Sequence, residues 1–140
     1  MSLMMSLCNK PSTLALLLLC SVMSGVSYAE EDEKTISAYV ELKPNFVVNH
    51  VGNESKLKYI KTSISIRTNE TQKILIENNM PIVRDAIVMF LSSRTTEQVT
   101  GAIAREKTRE EAAIAVNTAL EEETGLSPVQ DILFASFVTQ

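Results

Sequence analysis

Tryptophan is absent, histidine occurs once and cysteine twice, at Cys8 and Cys20, in a chain of 140 residues. One imidazole and two thiols cannot close a four-ligand zinc site without carboxylates, and they leave few ways to build a histidine-assisted nucleophile. Basic charge is also scarce: 13 Lys and Arg stand against 17 Asp and Glu, a formal −4, which lacks the electrostatic footprint of a nucleic-acid reader. No glycine-rich phosphate loop, serine elbow or metal-ligand spacing is present. These absences speak against a metalloenzyme, a thiol enzyme or a nucleic-acid binder, and we expect no catalytic, cofactor-binding or metal-ligating residue. The length allows one domain of ordinary size.

What is present begins with an apolar leader. Lys10 and Pro11 precede a run from Leu14 to Val26 dominated by Leu16, Leu17, Leu18 and Leu19, and Ser27-Tyr28-Ala29 closes it before Glu30, Glu31, Asp32 and Glu33. The run is of signal-peptide length, and small residues at Ser27 and Ala29 suit a signal peptidase, so cleavage after Ala29 is expected. The alternative is an uncleaved anchor from Leu14 to Ala29, short of the ~20 residues of a comfortable span. Leu19 is bulky where a lipoprotein signal peptidase prefers a small side chain, which disfavours lipidation at Cys20. With 1–29 removed, both cysteines leave, and the exported domain must be held by burial without a disulfide.

Residues 30–35 read as a charged linker. Beyond it, Ile36, Ala38 and Val40 alternate with Ser37, Tyr39 and Glu41, and Phe46-Val47-Val48 follows Lys43-Pro44-Asn45; two short strands with a Pro-Asn turn are expected. Leu57 to Thr68 is the clearest strand. Ile60, Ile64 and Ile66 share a parity with Lys58, Thr62 and Thr68, while Lys61, Ser63, Ser65 and Arg67 take the other, as in an antiparallel sheet covered on one side. Asn69 is placed to cap a helix starting at Glu70. Pro81 either kinks that helix or opens a second one, Pro81 to Ser92, whose apolar surface only Arg84 and Asp85 interrupt. Such a helix is expected to be covered on more than one side, by the core or by another subunit. Thr95-Thr96-Glu97-Gln98 matches a capping box, Gly101 interrupts, and Ala102 to Thr124 forms a helix with the stripe Ala112, Val116, Ala119 and Leu120, closed by Gly125. Val129 to Thr139 is apolar at both parities and is expected to be an interior strand. The order of elements predicts an α+β domain over 36–140, an antiparallel sheet packed against two or three helices.

Polar candidates have bland readings. His50 lies in an expected turn with Glu41 and Glu54 as the nearest carboxylates. Arg84 and Asp85 are helix neighbours that point about 100° apart. Glu121, Glu122 and Glu123 read as a solvated face at a helix C-terminus, where the dipole disfavours a negative cluster. Lys56, Lys58, Lys61 and Arg67 gather on and near the long strand and would meet anionic lipid or an acidic partner, or simply guard the sheet against aggregation.

The stretch Met80 to Ser93, Met-Pro-Ile-Val-Arg-Asp-Ala-Ile-Val-Met-Phe-Leu-Ser-Ser, followed by Arg-Thr-Thr-Glu-Gln-Val, resembles the central signature of the flagellar basal-body protein family FliL. Tyr39 to Asn49, Leu57 to Arg67 and Val129 to Gln140 resemble further parts of that family in the same order, so the resemblance covers 36–140. It implies a stomatin-like (SPFH-like) periplasmic domain at the flagellar basal body, without enzymatic activity. Implied partners are further copies of itself, in a ring or other homo-oligomer, and the periplasmic parts of stator or basal-body proteins. No cofactor and no nucleic acid is implied, and the membrane is met only indirectly unless the leader is retained as an inner-membrane anchor. A general envelope scaffold unrelated to motility, or a small-ligand module, are the alternatives.

Overall fold

The computed structural model describes residues 35–52 and 58–140. The expectations placed on the leader, on 30–34, on Glu54 and on Lys56 therefore lie outside the described residues.

Strand β1 runs Ser37–His50 and β2 Lys58–Asn69. After a 3-10 turn at Glu70–Gln72 come helices α1 (Lys73–Asn78), α2 (Met80–Ser92), α3 (Thr96–Val99) and α4 (Ala102–Thr124), and strand β3 (Asp131–Thr139) completes the order. The three strands form one antiparallel sheet in the order β1-β2-β3, so the α+β reading holds. The alternation read from β2 is the observed one. Ile60, Thr62, Ile64, Ile66 and Thr68 are buried, and Lys61, Ser63, Ser65 and Arg67 face the other way.

Two strand expectations are corrected. The stretch with Lys43-Pro44-Asn45 does not separate two strands: β1 continues through it, because Leu42 pairs with Ile64 and Phe46 with Thr62, so that three residues bulge where β2 supplies Ser63. The bulge preserves parity, and Ala38, Val40, Leu42, Phe46, Val48 and His50 all turn inward. Strand β3 is not interior among the described residues. There it pairs with β2 alone, at an edge, and a second bulge at Ala135, between the pairs Ser63/Ser136 and Ile64/Phe134, resets its alternation. Directly paired residues share a face, so Ile132, Phe134 and Phe137 lie on the covered side, the two rings 4.9 Å apart, while Leu133, Ser136 and Val138 lie on the open side. Apolar residues at both parities thus reflect a bulge and not burial on both faces.

The helices cover the inner face. From α2, Val83, Ile87 and Leu91 enter the core, and from α4, Thr108, Ala112, Val116 and Leu120 do so; both sets follow the four-residue step that stacks side chains on one helix face. Each fully buried Ile or Leu contributes about 1.5–3 kcal/mol relative to exposure. Pro81 sits in the first turn of α2, where a missing N–H costs nothing, so it opens a second helix and does not kink one. Within one chain α2 is covered by the core along Val83, Ile87 and Leu91, flanked by partly buried Met80, Ile82, Ala86 and Phe90, while Val88 and Met89 stay 39% and 64% exposed. Asn69 precedes the 3-10 turn in extended backbone but makes no side-chain cap, its Oδ1 accepting from Gln130 Nε2 instead. The capping box forms at Thr95, whose N–H donates to Gln98 Oε1 at 2.9 Å. Gly101 (φ 92°) and Gly125 (φ 73°) bound α4 in conformations that glycine adopts without Cβ strain.

The return from α4 to β3 is held by side chains. Asn117 Nδ2 donates to the Val129 carbonyl at 2.8 Å and its Oδ1 accepts from the Val129 N–H at 2.9 Å, so one amide satisfies both backbone groups of Val129. Buried Thr68 Oγ1 donates to the Pro128 carbonyl at 2.6 Å, and the Gln130 N–H reaches the Arg67 carbonyl at 2.9 Å. These bonds aim β3 along β2.

Candidate functional site

The fold scatters the polar residues singled out in the sequence. His50 is not in a turn. It ends β1 opposite Lys58, is buried, and neither ring nitrogen has a hydrogen-bond partner among the described residues. Glu41 belongs to the opposite parity and pairs with Lys43 Nζ at 3.1 Å on the exposed side, so no acid–base pair with His50 forms. Lys58 shares the covered parity of Ile60, whereas Lys61 and Arg67 lie on the open face, six residues or roughly 20 Å apart along the strand. They make no basic cluster.

Arg84 and Asp85 diverge. The Arg84 guanidinium carbon lies 4.2 Å from the Phe46 ring centroid, a cation–π contact from α2 to β1, and its Nη1 is buried without a partner among the described residues. Asp85 faces solvent. It joins Glu122 and Glu123 along a shallow groove between α2 and α4, floored by Ile82, Ala86 and Ala119 and of about 430 Å³. Glu121 accepts from Ser127 Oγ at 3.1 Å. No group of His, Asp and Glu among the described residues has an arrangement that would hold a cation, and no helix among them is long and apolar enough to cross a membrane.

Sequence reading missed the ionic joints, because their partners lie far apart in the chain. Arg109 of α4 bonds Asp131 at the start of β3 and, one turn back, Glu106. Arg67 approaches the same Asp131 at 3.9 Å, so two cations from different elements converge on one carboxylate. The hydrogen bond from Arg109 holds the Glu106 carboxyl below its ordinary value of 4.5, and the same bond raises Arg109 above its own. Arg94, between α2 and α3, donates to Glu111 Oε2 at 2.6 Å while its guanidinium lies 4.3 Å from the Phe90 ring. Only a helical phase placing Arg94 and Glu111 on facing surfaces would have exposed that pair. Beside Arg109 a second groove of about 450 Å³ runs between the first turns of α4 and β3, lined by Ala102, Arg105, Glu106 and residues 133–137.

Among the described residues these contacts mostly join one structural element to another, and a sheet face, the β3 edge and Val88 and Met89 of α2 stay exposed. The described residues thus form a half-covered antiparallel sheet with helices on one side and shallow grooves along α4. The family described as Flagellar basal body-associated protein FliL matches residues 39–140. The chain is 30% identical over 101 residues to "Flagellar protein FliL" of Aquifex aeolicus (strain VF5), a match spanning 71% of this chain and 60% of that relative. The chain belongs to the FliL family. It spans about three fifths of the length of the curated relative it matches.

Proposed function

We propose that this chain is a non-enzymatic scaffold of the flagellar motor, which self-associates and supports stator or basal-body function in motility from the periplasmic side. Family membership over residues 39–140 carries this reading. It is supported by the exposure of Val88 and Met89 on a helix whose opposite face already fills the core, since an apolar surface beyond what the core needs is characteristic of an interface. A stomatin-like relationship of the fold is part of the same proposal, favoured by the half-covered sheet. Residues 1–29 are proposed as a signal peptide, followed by a charged linker and a periplasmic domain from residue 36.

Deletion of the gene is expected to impair swimming and to lower the fraction of fluorescently tagged stators held at motors. Normal swimming and swarming with normal stator recruitment would remove the motor role. Analytical ultracentrifugation of the exported chain should show concentration-dependent assembly, weakened by Met89→Glu; a strict monomer at high concentration would remove self-association. Mass spectrometry of the exported protein should find Glu30 at its N-terminus.

A further inference from the structure

The two edges of the sheet are treated differently. The β1 edge carries Glu41, Lys43 and Pro44 and a three-residue bulge, which are devices that prevent another strand from pairing. The β3 edge carries none of them beyond one bulge. After Asp131 its sequence, Ile-Leu-Phe-Ala-Ser-Phe-Val-Thr, has no charge and no proline. Gln140 and Tyr59 exchange both of their backbone hydrogen bonds at 3.0 Å, so the antiparallel alternation turns the N–H and C=O of Thr139 and Phe137 away from β2. Those groups have no partner among the described residues.

Charge selects what pairs there. The groove beside this edge holds Arg105, Glu106 and Arg109. Glu106 and Arg109 neutralise each other, and Arg109 also meets Asp131. Arg105 has no carboxylate partner among the described residues: its Nε–H donates to the Gly101 carbonyl at 3.3 Å, which leaves its terminal N–H groups facing the groove. The first turn of α4 contains no acidic residue and its glycine N-cap supplies no side-chain cap, which adds a potential of the same sign. We infer that the β3 edge receives an extended segment of a partner protein, which adds a fourth strand along 136–139 and places a carboxylate on Arg105. Main-chain bonds to Phe137 and Thr139 supply affinity in this mode, and the carboxylate supplies choice among strands.

The test uses the full chain and a labelled hexapeptide, Thr-Val-Glu-Val-Thr-Val, with its Glu→Lys version as the control. The acidic peptide should bind, slow amide exchange at Phe137 and Thr139, and lose at least tenfold in affinity to Arg105→Glu, with the lysine peptide showing the reverse preference. Thr139→Pro removes an N–H that takes no part in the sheet and should abolish binding while leaving thermal unfolding unchanged. Unchanged exchange at both amides under saturating peptide, or indifference to Arg105→Glu, would overturn the inference. So would concentration-dependent association of the chain with itself that Thr139→Pro abolishes and the acidic peptide does not displace, because the occupant would then be a second copy. Binding by the purified chain is read apart from swimming and stator recruitment, so this proposal and the motor role fail separately.

Discussion

Helices α2 and α4 are opposite in composition and alike in how they pack. The first is apolar nearly all round; the second is a 23-residue helix of alanines and charges. Each nevertheless sends one four-residue ladder into the same core, Val83-Ile87-Leu91 from one and Thr108-Ala112-Val116-Leu120 from the other. Most of the remaining apolar surface of α2, Met80, Ile82, Ala86 and Phe90, packs partly buried against the same core, and Val88 and Met89 are left over. Both helices leave apolar side chains in solvent, Val88 and Met89 on α2 and Ile103 and Ile114 on α4, but only α4 surrounds them with ion pairs.

Truncation inside the two ladders is the strongest way to break the comparison. Ile87→Ala and Leu120→Ala should each cost about 2–5 kcal/mol in denaturant unfolding, through lost burial and a cavity; a loss below 1 kcal/mol at Ile87 would mean that the inner face of α2 is not core. Asn117→Ala tests what α4 does beyond packing. It leaves both backbone groups of Val129 without their partners and should cost about 1–3 kcal/mol, with amide exchange rising first at Val129.

Gly125→Ala should cost about 1–2 kcal/mol, since a Cβ there meets open space and only the left-handed backbone resists it. Ser93, which ends α2 with φ −80°, should accept alanine at lower cost. Met89→Glu should change the stability of the single chain by no more than about 0.5 kcal/mol and act on association alone.

The smallest effect belongs to Glu106. Its carboxyl is depressed by Arg109, so its contribution to stability is present above the ordinary glutamate value of 4.5 and is lost as pH falls through the lower folded value. Carbon-detected NMR titration should place its midpoint below 4.5, and Arg109→Gln should return it to that value.

Much of the fold was legible in local chemistry. The strict alternation of β2, the capping box at Thr95 and the glycine closing α4 are all decided within a few residues by sterics and hydrogen bonding, whereas Pro81 allowed both a kink and a helix start. The bulges were not legible. Lys43-Pro44-Asn45 reads as a turn in the absence of β2, and Ala135 resets the phase of β3 only because Ser63 and Ile64 are consecutive on the partner strand. The same limit hid the candidate surfaces. An apolar strand such as β3 gives no local sign of whether a neighbour lies on one side or on two. Among the described residues Arg105 has no carboxylate, while Arg109 adds Asp131 to its helix neighbour Glu106 through the way α4 lies against the start of β3.

By itself the sequence determined a cysteine-free α+β segment after residue 29, the limits of its long last helix, and a family resemblance that residues 39–140 bear out. Those properties rest on contacts within a helical turn or a strand's own alternation. Tertiary structure decided which edge is guarded, which residues of α2 are left over, where His50 is buried and which cations meet a carboxylate. Each of these depends on pairings between residues far apart in the chain, and local preferences do not encode them.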